Sequence, residues 1–578
     1  MEAYEHKQLS NSEPSKSQQH LTFSYAYHGS TEPLLWETIG DRLKHIATTY
    51  PANEALVAPW SNQRYTYEQF YKVCRQAAKG LMSMGLKKGD RIGIWATNYP
   101  EWVITQFASA MIGAVLVTIN PSLREHELEY VLKDSQCQSL VLIKQFKTSE
   151  YLNMFYNVCP EAKYQNPGAL ESTAFPYLKN VILLSQEKHP GLYTSKDVLL
   201  NGKDISDEEL DQQMKILDPD DVINIQYTSG TTGFAKGACL SHHNIVNNAF
   251  FVGKNLGFTH KDRLCIPVPF YHCFGMVLSN MVCVNYGATM VLPSEFFNPL
   301  ETMKAVSIER CTALHGVPTM FIAQLDHPQF HSFDFSHLRT GIMAGAPCPI
   351  EVMNKVRTLM GIEEITICYG LTEASPVTNQ TKRDDPVQLR VETVGLPLQH
   401  TEIKIINPET GQVVPINQNG EICVRGFQVM KQYHNKPKET SEAIDTNHWL
   451  HTGDIGTMDA QGYCRITGRL KDMIIRGGEN IYPREIEEYL YTHPDVINVS
   501  VFGVVDDTYG EEVAAWIQLQ QGAMLSVDEI KQFCQGKISH QKIPKYIKFV
   551  EEFPMTVTGK IQKFKLRQMY AEELRAQQ

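Results

Sequence analysis

The stretch Thr228-Ser229-Gly230-Thr231-Thr232-Gly233-Phe234-Ala235-Lys236 decides how the rest of the chain is read. Its two glycines free the backbone to turn N–H groups inward, and its hydroxyls and Lys236 add further donors, which is the chemistry a polyphosphate needs. Upstream, Val222-Ile223-Asn224-Ile225-Gln226-Tyr227 puts Ile223, Ile225 and Tyr227 on one face at period two, predicting a strand that delivers the loop to a sheet edge. Downstream, Ser241 is placed to cap a helix whose Ile245, Val246, Ala249, Phe250 and Leu256 share a face. The expected setting is therefore strand, loop, helix. An ordinary surface turn has a similar composition; the lysine and the flanking elements favour phosphate. Only Thr231 and Thr232 separate Gly230 from Gly233, so the loop is not the common Walker form.

The chain around it has 578 residues, more than one hydrophobic core organises, so at least two domains are expected. Its net charge of −11 comes without a basic stripe, which excludes nucleic acid as the expected partner. Thirteen cysteines are scattered with no Cys-x-x-Cys pair, fitting buried or incidental thiols in a reducing compartment and neither a disulfide framework nor a zinc site. The first thirty residues are polar and lack the apolar core of a secretory signal; the first twenty hold no arginine and carry Glu2, Glu5 and Glu13, unlike a mitochondrial presequence. The longest apolar run, Trp102 to Ile119, is broken by Thr105, Gln106, Ser109 and Gly113, which predicts a buried helix followed by a strand and not a membrane span. The chain ends in Arg575-Ala576-Gln577-Gln578, with no peroxisomal Ser-Lys-Leu address.

Helical and strand patterns alternate from Leu35 onward: helix to Tyr50, strand at Ala55–Val57, helix Tyr67–Met84, strand Arg91–Trp95, helix Trp102–Ile112, strand Ala114–Thr118, helix Leu128–Lys133, strand Ser139–Ile143. That rhythm predicts an α/β domain with a mostly parallel sheet. Pro160 to Gly202 reads as a loop-rich insert. After the loop, strands are expected at Leu264–Val268, Ala288–Leu292, Ala313–Val317 and Thr340–Ala344, and a β-rich subdomain from Thr401 to Arg425. From Lys471 the pattern becomes compact α+β. The expected organisation is a tail at 1–30, a large domain at 31–470 and a small C-terminal domain at 471–578.

Further motifs carry chemistry. Tyr369-Gly370-Leu371-Thr372-Glu373 follows the strand-like run Glu364–Cys368, so Thr372 and Glu373 fall at a strand's end, where ligands bind in open α/β sheets. Thr452-Gly453-Asp454 and Gly468-Arg469-Leu470-Lys471-Asp472 offer a carboxylate for vicinal hydroxyls with a guanidinium beside it, although either alone reads better as part of a surface ion pair. Gly559-Lys560-Ile561-Gln562-Lys563 lies in a loop near the chain's end.

In this order the motifs resemble the adenylate-forming superfamily of acyl-CoA synthetases, luciferases and nonribosomal adenylation domains, over roughly residues 35 to 570. Ile225-Gln226-Tyr227-Thr228-Ser229-Gly230, His243-Asn244-Ile245-Val246-Asn247-Asn248, Met473 to Pro483 and Ile543-Pro544-Lys545-Tyr546 look most like the medium-chain fatty acid–CoA ligases. The resemblance implies ATP, Mg²⁺ and coenzyme A as cofactors, with a fatty acid activated as acyl-adenylate and then passed to CoA. It implies that Thr228, Ser229, Gly230, Thr231, Thr232, Gly233, Phe234, Ala235 and Lys236 hold the outer phosphates, and that Thr372 and Glu373 place Mg²⁺ and the α-phosphate. Tyr369 would lie against adenine, Asp454 and Arg469 would take the ribose, and Lys560 would be the catalytic lysine. Lys471 would be the hinge, Gly477 and Gly478 would line the pantetheine path, and His272 would gate the acyl site. Ala235 departs from the family, which usually has proline there.

Rival expectations are a luciferase-like oxygenase, separable by luminescence or by CoA-dependent AMP release with a fatty acid, and a catalytically silent ATP-binding protein on the same fold, separable by pyrophosphate release. An assembly-line module fits less well without a carrier domain. The resemblance points to mitochondria, the polar start to the cytoplasm.

Overall fold

The structure is a computed structural model that describes residues 21–228, 235–346, 348–477, 479–506, 508–555 and 561–577. Two large sheets dominate it. One runs Gln432–Tyr433, Lys236–Ser241, Val222–Thr228, Val115–Thr118, Arg91–Trp95, Ser139–Leu142, Asn180–Leu183, Tyr193–Thr194. The other runs Leu396–Pro397, Val377–Gln380, Glu364–Gly370, Thr340–Ala344, Ala313–Gly316, Arg263–Cys265, Thr289–Val291, Glu54–Ala58, Gln63–Thr66. Their central strands pair in parallel; antiparallel strands close both edges of the nine-stranded sheet and one edge of the eight-stranded sheet, whose other edge, Tyr193–Thr194, is parallel. Parallel strands need cover on both faces, and the helices Ile39–Thr49, Tyr67–Ser83, Pro100–Ile112 and His242–Asn255 supply it. Their apolar faces join Leu56 and Leu264 of one sheet to Ile92, Val117 and Ile225 of the other in a single core. Val57, Cys265, Leu314 and Met343 face a second core on the outer side of the nine-stranded sheet.

The run that could have been taken for a membrane span is the helix Pro100–Ile112, buried except at Glu101 and Thr105, ended by Gly113 at φ 74° and followed by the strand Val115–Thr118. No helix among the described residues is long and apolar enough to cross a membrane.

Three sequence expectations need correction. The loop at 228–236 is followed by a strand, Lys236–Ser241, antiparallel to Val222–Thr228, so the loop closes a hairpin; the helix starts only at His242. Six residues with alternating Ala238 and Leu240 were too short a signal beside the helix behind them. Ser241 does cap that helix, in a capping box with Asn244 worth about 1 kcal/mol. The insert from Pro160 to Gly202 contributes two parallel strands, Asn180–Leu183 and Tyr193–Thr194, and the helix Ser195–Asn201. Short apolar strands among Gly and Pro leave little periodicity to read. Finally, Tyr25–His28, counted with the tail, is an edge strand antiparallel to Thr401–Ile406.

The β-rich part forms a five-stranded sheet: Tyr25–His28, Thr401–Ile406, Gly420–Gly426, Leu450–Met458, Cys464–Arg469. Beyond Lys471, strands Glu479–Ile481, Ile474–Arg476, Gly510–Leu519, Val496–Asp506 and Tyr546–Phe549 form a small sheet. Its buried apolar side chains cluster with one another and with helices Pro483–Leu490, Val527–Cys534 and Lys563–Gln577, using residues from Ile474 onward.

Candidate functional site

Of the phosphate loop, Thr228, Ala235 and Lys236 are described; Ser229, Gly230, Thr231, Thr232, Gly233 and Phe234 lie outside the described residues. Its feet are pinned. Thr228 pairs with Lys236 across the hairpin, and Thr228 Oγ1 donates to the Lys236 carbonyl at 3.3 Å. The Tyr130 hydroxyl donates to the Ala235 carbonyl at 3.1 Å.

From this base the Lys236 ammonium lies 4.9 Å from the centre of the Tyr433 ring, within cation–π range. Tyr433 sits directly beside Ala238 in the short edge strand Gln432–Tyr433. Its hydroxyl donates to Glu373 Oε1 at 2.7 Å, and the Met430 N–H donates to the Glu373 carbonyl at 2.8 Å. Burial first, and then the Glu373 charge, push the Tyr433 phenol well above its usual range, so it remains a donor. Glu373 Oε2 accepts no hydrogen bond among the described residues. Lys236 and Glu373, 137 positions apart, are thus joined through one side chain that motif reading had not singled out. The only signal was an aromatic residue in a weak edge strand.

Thr372 and Glu373 occupy the single turn Thr372–Ala374 immediately after Glu364–Gly370. The chain folds tightly back there: a Cβ on Gly370 would stand 1.8 Å from the Pro376 carbonyl oxygen, which only glycine avoids. Both residues are half-buried at the strand's C-terminal end, as expected.

Tyr369, Asp454 and Arg469 meet at one point. The Tyr369 hydroxyl donates to Asp454 Oδ2 at 2.7 Å, and Arg469 Nε lies 3.0 Å from Oδ1. Asp454 and Arg469 face each other across Leu450–Met458 and Cys464–Arg469. Asp454 is only 6% exposed, and the Arg469 side chain, 48% exposed, meets it from the solvent side. Burial, then the Asp454 charge, hold the Tyr369 phenol up; the Asp454 charge is the main cause that raises Arg469.

His272 caps the short helix Cys273–Gly275, its Nδ1 accepting from the Phe274 N–H at 3.3 Å, and is half-buried. The next turn, Met276–Met281, is π-helical, a form that recurs at functional sites. A buried polar line runs along it: Gln226 Nε2 to Met276 Sδ at 2.8 Å, Gln106 Nε2 to the Met276 carbonyl at 3.1 Å, and Asn280 Nδ2 to Gln106 Oε1 at 3.0 Å.

Lys471 lies in the turn Leu470–Asp472; burial, then the Arg469 charge, lower its ammonium below the usual lysine range. Asp472 pairs with Arg567 of the last helix at 3.2 Å. Gly477 has φ 59° and donates its N–H to the Tyr509 carbonyl at 2.8 Å. Gly478 and Lys560 lie outside the described residues.

The chain matches the family of AMP-binding enzymes over residues 43–434 and the AMP-binding enzyme C-terminal domain over 485–560. It is 52% identical to YngI of Bacillus subtilis, over 93% of this chain and 97% of that one. It is 45% identical to the mitochondrial medium-chain acyl-CoA ligase ACSF2 of Homo sapiens, over 95% of this chain and 90% of that one. Among solved structures, ATP-bound MatB from Rhodopseudomonas palustris is similar with a TM-score of 0.79 and 26% identity, covering 93% of this chain and 99% of that one. The chain belongs to the AMP-binding enzymes, and among them to the acyl-CoA synthetases. It is accordingly an ATP-dependent ligase of the AMP-forming, acid–thiol class.

Proposed function

We propose that the chain activates a medium-chain fatty acid with ATP and transfers the acyl group to coenzyme A, and that the residues described above divide the work as follows. The fatty carboxylate attacks the α-phosphorus, pyrophosphate leaves, and the CoA thiol then displaces AMP from the acyl-adenylate. The observation that carries this reading is the convergence of Lys236 and Glu373 on Tyr433. It sets a cation for leaving phosphates and a carboxylate for a divalent ion side by side, at the ends of both large sheets.

Mg²⁺ fits this donor set, because Glu373 is fixed through Oε1 and offers a hard oxygen at Oε2; Glu373 would hold the ion, which supplies charge neutralisation at the phosphates. Thr228 to Lys236 cradle the outer phosphates, and Thr372 faces the α-phosphate. Asp454, oriented by Tyr369 and Arg469, accepts from the ribose hydroxyls, while the Tyr369 ring face serves adenine. Lys560 bridges carboxylate and α-phosphate as charge accumulates. His272 closes the acyl side. Rotation about Lys471 withdraws Lys560 and presents Gly477 and Gly478 to the pantetheine arm. Medium chain length is supported by the similarity to ACSF2 of Homo sapiens. A mitochondrial location rests on that relative's name alone.

A panel of C4 to C18 acids, assayed for pyrophosphate release and for CoA thioester, tests the reading. Thioester formation peaking at intermediate length is the expected result. Pyrophosphate release without thioester, accompanied by oxygen uptake, refutes the CoA half.

A further inference from the structure

Away from the nucleotide site, Glu421, Cys423 and His451 are the one group among the described residues able to ligate a metal, with ligand atoms all within 4.8 Å of one another. Strand geometry puts them there. Glu421 and Cys423 are two apart on Gly420–Gly426, and Cys423 lies directly across from His451 on Leu450–Met458. The carboxylate and thiol both approach one atom: Glu421 Oε2 is 2.9 Å from His451 Nδ1, and Cys423 Sγ is 3.7 Å from the same nitrogen.

A proton cannot serve this trio. Protonated, Nδ1 donates to Glu421 and leaves the thiol without it; unprotonated, it accepts from the thiol and leaves the carboxylate. A divalent ion in the proton's place engages all three. Zn–N and Zn–O bonds of about 2.0 Å and a Zn–S bond of about 2.3 Å put ligand atoms roughly 3.3–3.5 Å apart at tetrahedral angles; the two contacts to His451 Nδ1, at 2.9 and 3.7 Å, lie within a few tenths of an ångström of that, and the carboxylate and thiol, within 4.8 Å of each other, close on the ion by side-chain rotation. Thiolate, imidazole and carboxylate together form a zinc set. Asp445 Oδ2 lies 3.9 Å from the far ring nitrogen, a charge contact longer than a hydrogen bond. Cys423 and Glu421 are buried, and the His451 side chain, 30% exposed, offers the approach. The nearby cations are engaged elsewhere: Lys404, cross-strand from Cys423, lies 4.3 Å over Trp449, and Arg425 pairs with Glu402.

We propose that Glu421, Cys423 and His451 form a zinc site that ties Gly420–Gly426 to Leu450–Met458. Binding forms three zinc–ligand bonds and releases the Cys423 thiol proton together with any proton held at His451 Nδ1. Glu421 Oε1 meanwhile keeps the Gly453 N–H, at 3.2 Å, so the tie also steadies the turn that carries Asp454.

The full chain, free of ATP, is titrated with zinc against a chromophoric chelator and separately with cobalt. One equivalent of zinc and a thiolate-to-cobalt charge-transfer band are expected. Cys423→Ser should abolish the band and weaken zinc binding by at least about tenfold, and His451→Ala should do likewise. Zinc should raise the melting temperature of the wild type and not of Cys423→Ser, whose circular dichroism should match the wild type's. Absence of the band in the wild type, or its persistence in Cys423→Ser, overturns the proposal.

Discussion

Removing one hydroxyl, by Tyr433→Phe, isolates the link between the phosphate lysine and the carboxylate. The ring stays, so Lys236 keeps the face it lies over at 4.9 Å, and no cavity larger than an oxygen atom opens in a residue that is 7% exposed. What disappears is the 2.7 Å donation to Glu373 Oε1. A hydrogen bond to a charged acceptor contributes about 1.5–3 kcal/mol when sheltered. Glu373 is only half-buried, so water recovers part of that, leaving about 1–2 kcal/mol, or roughly a 5- to 30-fold loss. The loss should fall on kcat/KM for ATP in pyrophosphate release, with a higher magnesium requirement. Thioester formation from supplied acyl-adenylate should change less than about twofold, because that half-reaction uses neither group. An unchanged magnesium dependence, or equal loss in both half-reactions, refutes the idea that the tyrosine acts by placing Glu373.

Lys560→Ala should slow adenylation by about a hundredfold or more and leave thioester formation from acyl-adenylate nearly intact; rapid-quench assays of each half separate the two. Lys471→Pro fixes a backbone torsion and should spare pyrophosphate release while depressing thioester yield, so normal thioester turnover counts against rotation at that residue. His242 and His315 are held at about 3 by burial. Their pKa is thus depressed, so as pH falls below about 6.5 the unfolded chain takes up protons that the native one refuses, and stability declines by up to about 1.4 kcal/mol per histidine per pH unit until about pH 3. Chemical denaturation at pH 7 and 5.5 should show this loss, and His315→Asn should lessen it; an equally steep loss in that variant removes His315 from the account.

The alternation of helix and strand was readable because parallel strands buried on both faces leave continuous apolar runs. Arg91–Trp95 and Thr340–Ala344 have their expected limits. Thr372, Glu373, Asp454 and Arg469 were readable as motifs, because each ends or flanks a regular element. What could not be read were contacts made by short strands: Tyr25–His28 and Gln432–Tyr433, at sheet edges, owe their conformation to partners distant in sequence, and Lys236–Ser241 lies between Gln432–Tyr433 and its hairpin partner. Tyr433 belongs to this group. Its importance arises from meeting Glu373, sixty positions earlier, and no local spacing encodes that meeting. The pairing of Cys423 with His451 is hidden for the same reason.

Because Thr228 and Lys236 are locked face to face, the sheet closes beneath the phosphate loop whatever the loop contains. Loop closure depends only weakly on length, about 0.6 kcal/mol per doubling, so the scaffold places little demand on the seven residues between. Their identity is answerable to the ligand. At Ala235 the scaffold asks only for the carbonyl that accepts from Tyr130, a backbone atom that alanine and proline both provide.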